Sequence, residues 1–166
     1  MGVCVSIQKW PAGGVLPGSA LNMRINLALF LAGFASFSLL YCVQPLLPLF
    51  AEQFHVGAAA SALSLSLATG SLAVAIFFAG GWSEGRDKRR LMGASMMLAA
   101  SCNLVAACSP RWEGLLGARA LAGLLLGWVP AVAMAYLADV MAPQALGRSV
   151  GLYVAGTAFE IGRAHV

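Results

Sequence analysis

A chain of 166 residues that is 60% hydrophobic and only 10% charged, with a mean hydropathy of +0.84, is too apolar and too poor in charge for an ordinary water-soluble domain. The formal net charge of +4 does not point to nucleic acid, because four of the ten basic residues, Arg86, Lys88, Arg89 and Arg90, fall in one short loop between apolar runs, the pattern of a topology signal. A helix needs roughly 20 mainly apolar residues to cross about 30 Å of hydrocarbon, so the length holds about four spans and short loops.

Residues 1–25 read as a cytoplasmic tail. Lys9, Pro11, Gly13, Gly14, Pro17 and Gly18 suit irregular backbone, and the apolar run that follows is too long for a signal core and lacks a small-residue cleavage site. The first helix is expected over 26–50. Pro45 and Pro48 near its far end predict a kink without a stop, since membrane helices tolerate proline where neighbours or water satisfy the freed carbonyls. Glu52 to His55 are polar, and His55 reads as an exposed loop residue.

The second helix is expected over 61–82 and the third over 91–108, with the basic loop between them. After a turn at Ser109 to Trp112, a fourth is expected over 114–137, followed by the polar junction Asp139 to Arg148. Asp139, at the end of its helix, reads as a solvated boundary residue, where an acid is cheap. A fifth helix, 149–159, reaches only about half a span.

Lys9 and Arg24 precede the first helix, the basic cluster follows the second and Arg148 follows the fourth, whereas the intervening loops carry only Arg111. All the basic segments then fall on one side, which puts the amino terminus in the cytoplasm. Cys4, Cys42, Cys102 and Cys108 show no metal or redox spacing and are expected to be free thiols. Gly123 and Gly127 form a GxxxG spacing, assigned to helix packing inside the chain in preference to dimerisation.

Three stretches carry more specific information. The loop Gly80-Gly81-Trp82-Ser83-Glu84-Gly85-Arg86-Asp87-Lys88-Arg89-Arg90 combines glycines for close helix approach, an acid near helix ends and a cationic run. It resembles the loop signature of the major facilitator superfamily, with Glu84 where that family usually has aspartate and Asp87 where it has a second glycine. Arg119, followed by Gly123 and Gly127, resembles the family's arginine-then-glycines pattern on the fourth helix. Tyr41 to Phe50, Met134 to Asp139 and Gly151 to Gly156 look like corresponding stretches of bacterial efflux members, so that the resemblance covers most of 27–159.

The resemblance implies an all-α membrane protein: the amino-terminal part of a twelve-helix fold, multi-pass in a bacterial inner membrane, exporting a small molecule by alternating access with proton antiport. It implies a conformational latch in which Glu84 holds the outward-facing state, with Gly80 for close approach and Arg86, Lys88, Arg89 and Arg90 as partners or anchors. It also implies that a second half of the same transporter completes the substrate cavity.

For Arg119 two readings stand. An arginine inside a span costs about 2.5–3.5 kcal/mol on insertion scales and by default faces a cavity or a partner, here in a coupling role. It also lies roughly 7–8 Å from the expected helix start, close enough to snorkel to the interface. Tyr41 and Gln44, three residues apart on one expected helix face, either hydrogen-bond a substrate near the midplane or bond a neighbouring helix. No metal pair, catalytic motif, phosphate loop or nucleotide fingerprint occurs, so neither enzyme activity nor a cofactor is expected, and transport energy is expected from an ion gradient. The competing class is a short four-helix membrane scaffold or regulator without transport activity.

Residues 160–166 abandon the apolar pattern, with Glu160, Arg163 and His165 at membrane depth. The codons GAG ATC GGA AGA GCA CAC GTC would encode this segment, and that string contains a common sequencing-library adapter. The segment is therefore expected to be non-native.

Overall fold

The structure is a computed structural model and describes residues 19–82, 87–140 and 143–163. Its elements are α1 (Ser19–Tyr41), a 3₁₀ turn (Gln44–Leu46), α2 (Leu47–Gln53), α3 (Ala58–Trp82), α4 (Lys88–Ala107), α5 (Trp112–Val140) and α6 (Pro143–Arg163). Four stretches are long and apolar enough to cross a membrane: Met23–Gln53, Ala58–Ala79, Lys88–Ala107 and Trp112–Val140. The chain is an all-α membrane protein.

The first span departs most from expectation, since it is broken where a kink was predicted. Cys42 N still bonds Ser38 O at 2.9 Å, but the ladder then gives way to a tighter bond, Leu46 N to Val43 O at 2.9 Å, before the helix restarts. Pro45 falls within this stretch and Pro48 in the first turn of α2, and neither supplies an N–H, so the regular ladder cannot run through the break. The other helices extend beyond the expected 61–82, 91–108, 114–137 and 149–159 at one end or both. Apolar counting finds the strongly hydrophobic part of a helix and misses end turns built of weakly apolar or polar residues, such as Ala58 to Ala60 of α3, whose backbone bonds do not depend on large apolar side chains. Pro143 at the start of α6 is an example, because proline's fixed φ suits a first helical turn. Asp87 caps α4, its carboxylate accepting from Arg89 N at 3.2 Å and Arg90 N at 3.3 Å.

α5 is the hub. It packs mainly on α3 and α4 and also touches α1 and α6, and 44% of its apolar window is buried against 22% in each of the other three spans. The GxxxG pair explains the α3 contact. A Cβ added at Gly123 would overlap the Ala68 carbonyl oxygen, and one at Gly127 would lie 2.6 Å from Leu72 O. Ser71 Oγ donates across the same crossing to Ala120 O at 2.8 Å.

A second close crossing joins α1 and α6. An added Cβ at Gly156 would stand 2.5 Å from Phe30 O, and one at Gly33 would stand 3.0 Å from Tyr153 O. Buried side chains gather in two clusters, one around Leu29, Met92, Val132, Leu137 and Tyr153, the other around Leu40, Ala68, Ala99 and Leu126.

The contacts fix relative directions. Lys88 at the start of α4 pairs with Asp139 at the end of α5, and Arg24, Arg89 and Val140 line one cavity. At the opposite end the Phe54 and Trp112 rings lie 5.5 Å apart. Thus α1 and α4 run together and α5 runs against them, with Arg24, Lys88 and Arg89 at one end and Arg111, next to Trp112, at the other.

Candidate functional site

The break in α1 creates a problem that α5 resolves. The last four carbonyls of any helix lack intrahelical partners, and in a bilayer no water satisfies them. Those of Leu39 and Leu40 belong to this set at the end of α1. Arg119 Nη1 donates to Leu39 O at 3.3 Å and Nη2 donates to Leu40 O. Asn103 of α4 joins them, its Nδ2 donating to Leu39 O at 3.0 Å while its Oδ1 accepts from Arg119 Nη1 at 2.6 Å.

A guanidinium is well suited to this place. It offers five donors in a planar fork, and a cation at a helix C-terminus meets the negative end of the dipole. The Arg119 side chain is 1% exposed. The snorkelling alternative is thereby corrected: the side chain turns inward because two carbonyls and an amide oxygen await it there. Among the described residues no carboxylate neutralises this charge, and its Nε is buried without a hydrogen-bond partner.

Tyr41 and Gln44 sit beside this clamp, but not as predicted. The expected shared face assumed one continuous helix, whereas α1 ends at Tyr41 and Gln44 opens the 3₁₀ turn. Tyr41 packs on the Leu40 cluster, with its ring 5.8 Å from that of Phe37. Gln44 is half-buried.

At the basic end, Glu84 and Arg86 lie outside the described residues, and Gly80 is placed near the end of α3. The three remaining cations go separate ways. Lys88 pairs with Asp139, and Arg90 pairs with Asp87, Nε to Oδ2 at 3.1 Å. Arg89 lines the cavity shared with Arg24. Asp139 is exposed, as a boundary residue should be, but it is also Lys88's partner, which corrects its reading as a merely solvated acid. Asp87, the departure from the family's glycine, caps α4.

Sequence reading missed Asn103, the carbonyls of Leu39 and Leu40, and the Gly33 and Gly156 crossing. Asn103 was detectable as an amide within the apolar run of the third helix, the kind of residue that bonds between helices. The carbonyls were not, since every residue has one.

The family profile described as Major Facilitator Superfamily matches residues 29–161. The chain is similar to the inner membrane transport protein YnfM of Escherichia coli, 42% identical over 139 residues, 84% of this chain and 33% of that protein. It is equally similar to the MFS-type transporter YybF of Bacillus subtilis, 42% identical over 141 residues, 85% of this chain and 35% of that one. An uncharacterised transporter of Buchnera aphidicola from Baizongia pistaciae is 42% identical over 139 residues, 84% of this chain and 34% of that protein. The chain spans about a third of the length of the curated relatives it matches. No solved structure matches significantly. With the family profile covering most of the chain and the spans, break and arginine in place, the chain belongs to the major facilitator superfamily.

Proposed function

We propose that this chain is part of a secondary active transporter of the bacterial inner membrane that exports a small molecule by alternating access, coupled to proton entry. The observation that carries the reading is the clamp in which Arg119, buried in α5, holds the broken end of α1. A fixed buried cation without a carboxylate partner among the described residues is costly, and such groups in spans mark substrate or ion pathways. The clamp ties the position of the α1 break to α5. Tyr41 and Gln44, flanking the break, are then the groups that would meet a polar substrate, and a change in local charge would be transmitted through the α1 carbonyls.

The basic end, cytoplasmic under this reading, acts as the latch: Lys88 and Asp139 join α4 to α5 there, with Glu84 as a further acid and Gly80, Arg86, Arg89 and Arg90 around it. Residues 26–159 contribute to one six-helix half, a second half supplies the other wall of the substrate cavity, and residues 160–166 are non-native. The inner-membrane name of the Escherichia coli relative supports the location.

The test uses a transporter containing this chain in energised everted vesicles, with recovery of a quenched pH-sensitive dye as the readout of proton release on addition of a substrate. Arg119→Gln is expected to cut that release at least about tenfold at unchanged membrane abundance, the scale of one lost charge-assisted hydrogen bond. Retention of full coupling by Arg119→Gln would sink the reading.

A further inference from the structure

The carbonyls that Arg119 and Asn103 hold are the two that a further turn of α1 would use. In an unbroken helix Leu39 O accepts from Val43 N and Leu40 O from Gln44 N, each four residues on. Here the backbone bonds at the break run from Cys42 N to Ser38 O and then from Leu46 N to Val43 O, and among the described residues Val43 N and Gln44 N reach no backbone carbonyl. Leu40 O takes Arg119 Nη2 in place of Gln44 N. Leu39 O takes Asn103 Nδ2 and Arg119 Nη1, with the Cys42 thiol as a further donor at 3.2 Å. Side chains from α4 and α5 thus compete with two backbone amides for the same two acceptors.

The backbone stands close to the alternative. Val43 has φ −85° and ψ −13°, so a rotation of about 30° in ψ brings it to the α-helical value. Pro45 supplies no N–H, which ends any extension at Gln44. The break also joins two separately packed pieces, since α1 packs chiefly on α6 and α2 on α3. A 3₁₀ stretch in the middle of a helical span is a common form of hinge.

We propose that the end of α1 is a two-state element. In one state Arg119 and Asn103 hold the Leu39 and Leu40 carbonyls, and α1 stops at Tyr41. In the other the amides of Val43 and Gln44 take those carbonyls, α1 gains most of a turn, Arg119 is released, and Gln44 and α2 are re-aimed. The exchange replaces donors by donors at the same oxygens, the near balance that a bistable element requires. Only its use as a gate rests on the transport reading; the exchange itself does not.

The experiment takes a transporter containing this chain in lipid nanodiscs and follows hydrogen–deuterium exchange by mass spectrometry with electron-transfer fragmentation. Val43 and Gln44 are read against Cys42, a hydrogen-bonded neighbour at the same depth, so that the ratio cancels water access. In the wild type both amides are expected to exchange at least about tenfold faster than Cys42, the scale of one hydrogen bond. Arg119→Leu frees Leu40 O and should slow Gln44 about tenfold, whereas Val43, whose acceptor keeps Asn103, should slow less than about threefold. Arg119→Leu/Asn103→Leu should slow both amides about tenfold, and Asn103→Leu alone should leave Gln44 unchanged. The proposal is overturned if Gln44 exchanges in Arg119→Leu as in the wild type, with circular dichroism showing the variant still helical. It is equally overturned, without any variant, if both amides match Cys42 in the wild type. Because the readout is amide exchange, failure here leaves the transport reading standing, and failure of transport leaves the two-state element standing.

Discussion

Arg119 Nη1 and Asn103 Oδ1 lie 2.6 Å apart, joining α5 to α4 at the level where α1 breaks. The pair works as a unit because Asn103 Nδ2 and Arg119 Nη1 share the Leu39 carbonyl oxygen. An arginine in the membrane thus becomes the cap of a helix that proline has interrupted.

Removing the cap is therefore expected to destabilise the fold. Arg119→Leu should cost about 2–4 kcal/mol, since its charge-assisted bonds are lost and the Leu40 carbonyl is left without its donor, while Leu39 O keeps Asn103. Asn103→Leu should cost about 1 kcal/mol, the usual scale for interhelical bonds in membranes. The double variant should cost less than the sum, by about 1 kcal/mol. Unfolding by dodecyl sulfate in mixed micelles, followed by tryptophan fluorescence, measures each; strict additivity would show that the two side chains act independently.

Glycines on one helix should differ sharply. Gly123→Ala drives a methyl into the Ala68 carbonyl and should cost about 1–3 kcal/mol or more as α3 and α5 separate. Gly117 is exposed on the same helix and a Cβ there meets nothing within 4 Å, so Gly117→Ala should gain roughly 0.5–1 kcal/mol from helix propensity. Equal effects in the same micelle assay would contradict the α3–α5 crossing.

Tyr153 is 3% exposed and its hydroxyl has no hydrogen-bond partner among the described residues. A buried hydroxyl without a partner keeps its desolvation cost. Tyr153→Phe is accordingly expected to be neutral or to stabilise this chain by up to about 1 kcal/mol. A loss of more than about 1 kcal/mol would reveal a bond to that hydroxyl.

Orientation can be read from native thiols. Cys108 caps the end of α4 and is exposed, at the end opposite Arg24 and Lys88. With Cys4, Cys42 and Cys102 changed to serine, Cys108 should react with a membrane-impermeant maleimide in intact spheroplasts. A cysteine replacing Arg24 should react only in everted vesicles. The reverse pattern would put the amino terminus outside.

Composition excluded an ordinary soluble domain, because so apolar and uncharged a chain has too little polar surface for water, and the lengths of the apolar runs marked four membrane-spanning helices. The loop after the second span and the arginine-then-glycines pattern pointed to the family through residue identity and spacing. The GxxxG assignment to internal packing was also legible, since glycine spacing on a helix dictates where backbones can approach.

Tertiary structure decided the rest. The direction of Arg119 depended on where carbonyls fall unpaired, and that depended on α1 breaking at Tyr41 under the demands of Pro45 and Pro48. The partner of Lys88 is 51 residues away, and Arg24 and Arg89 line one cavity only because α1 and α4 start at the same end. A sequence states which side chains carry charge. Which backbone groups lose their partners, and which distant side chains stand near enough to serve them, is settled only when the helices cross.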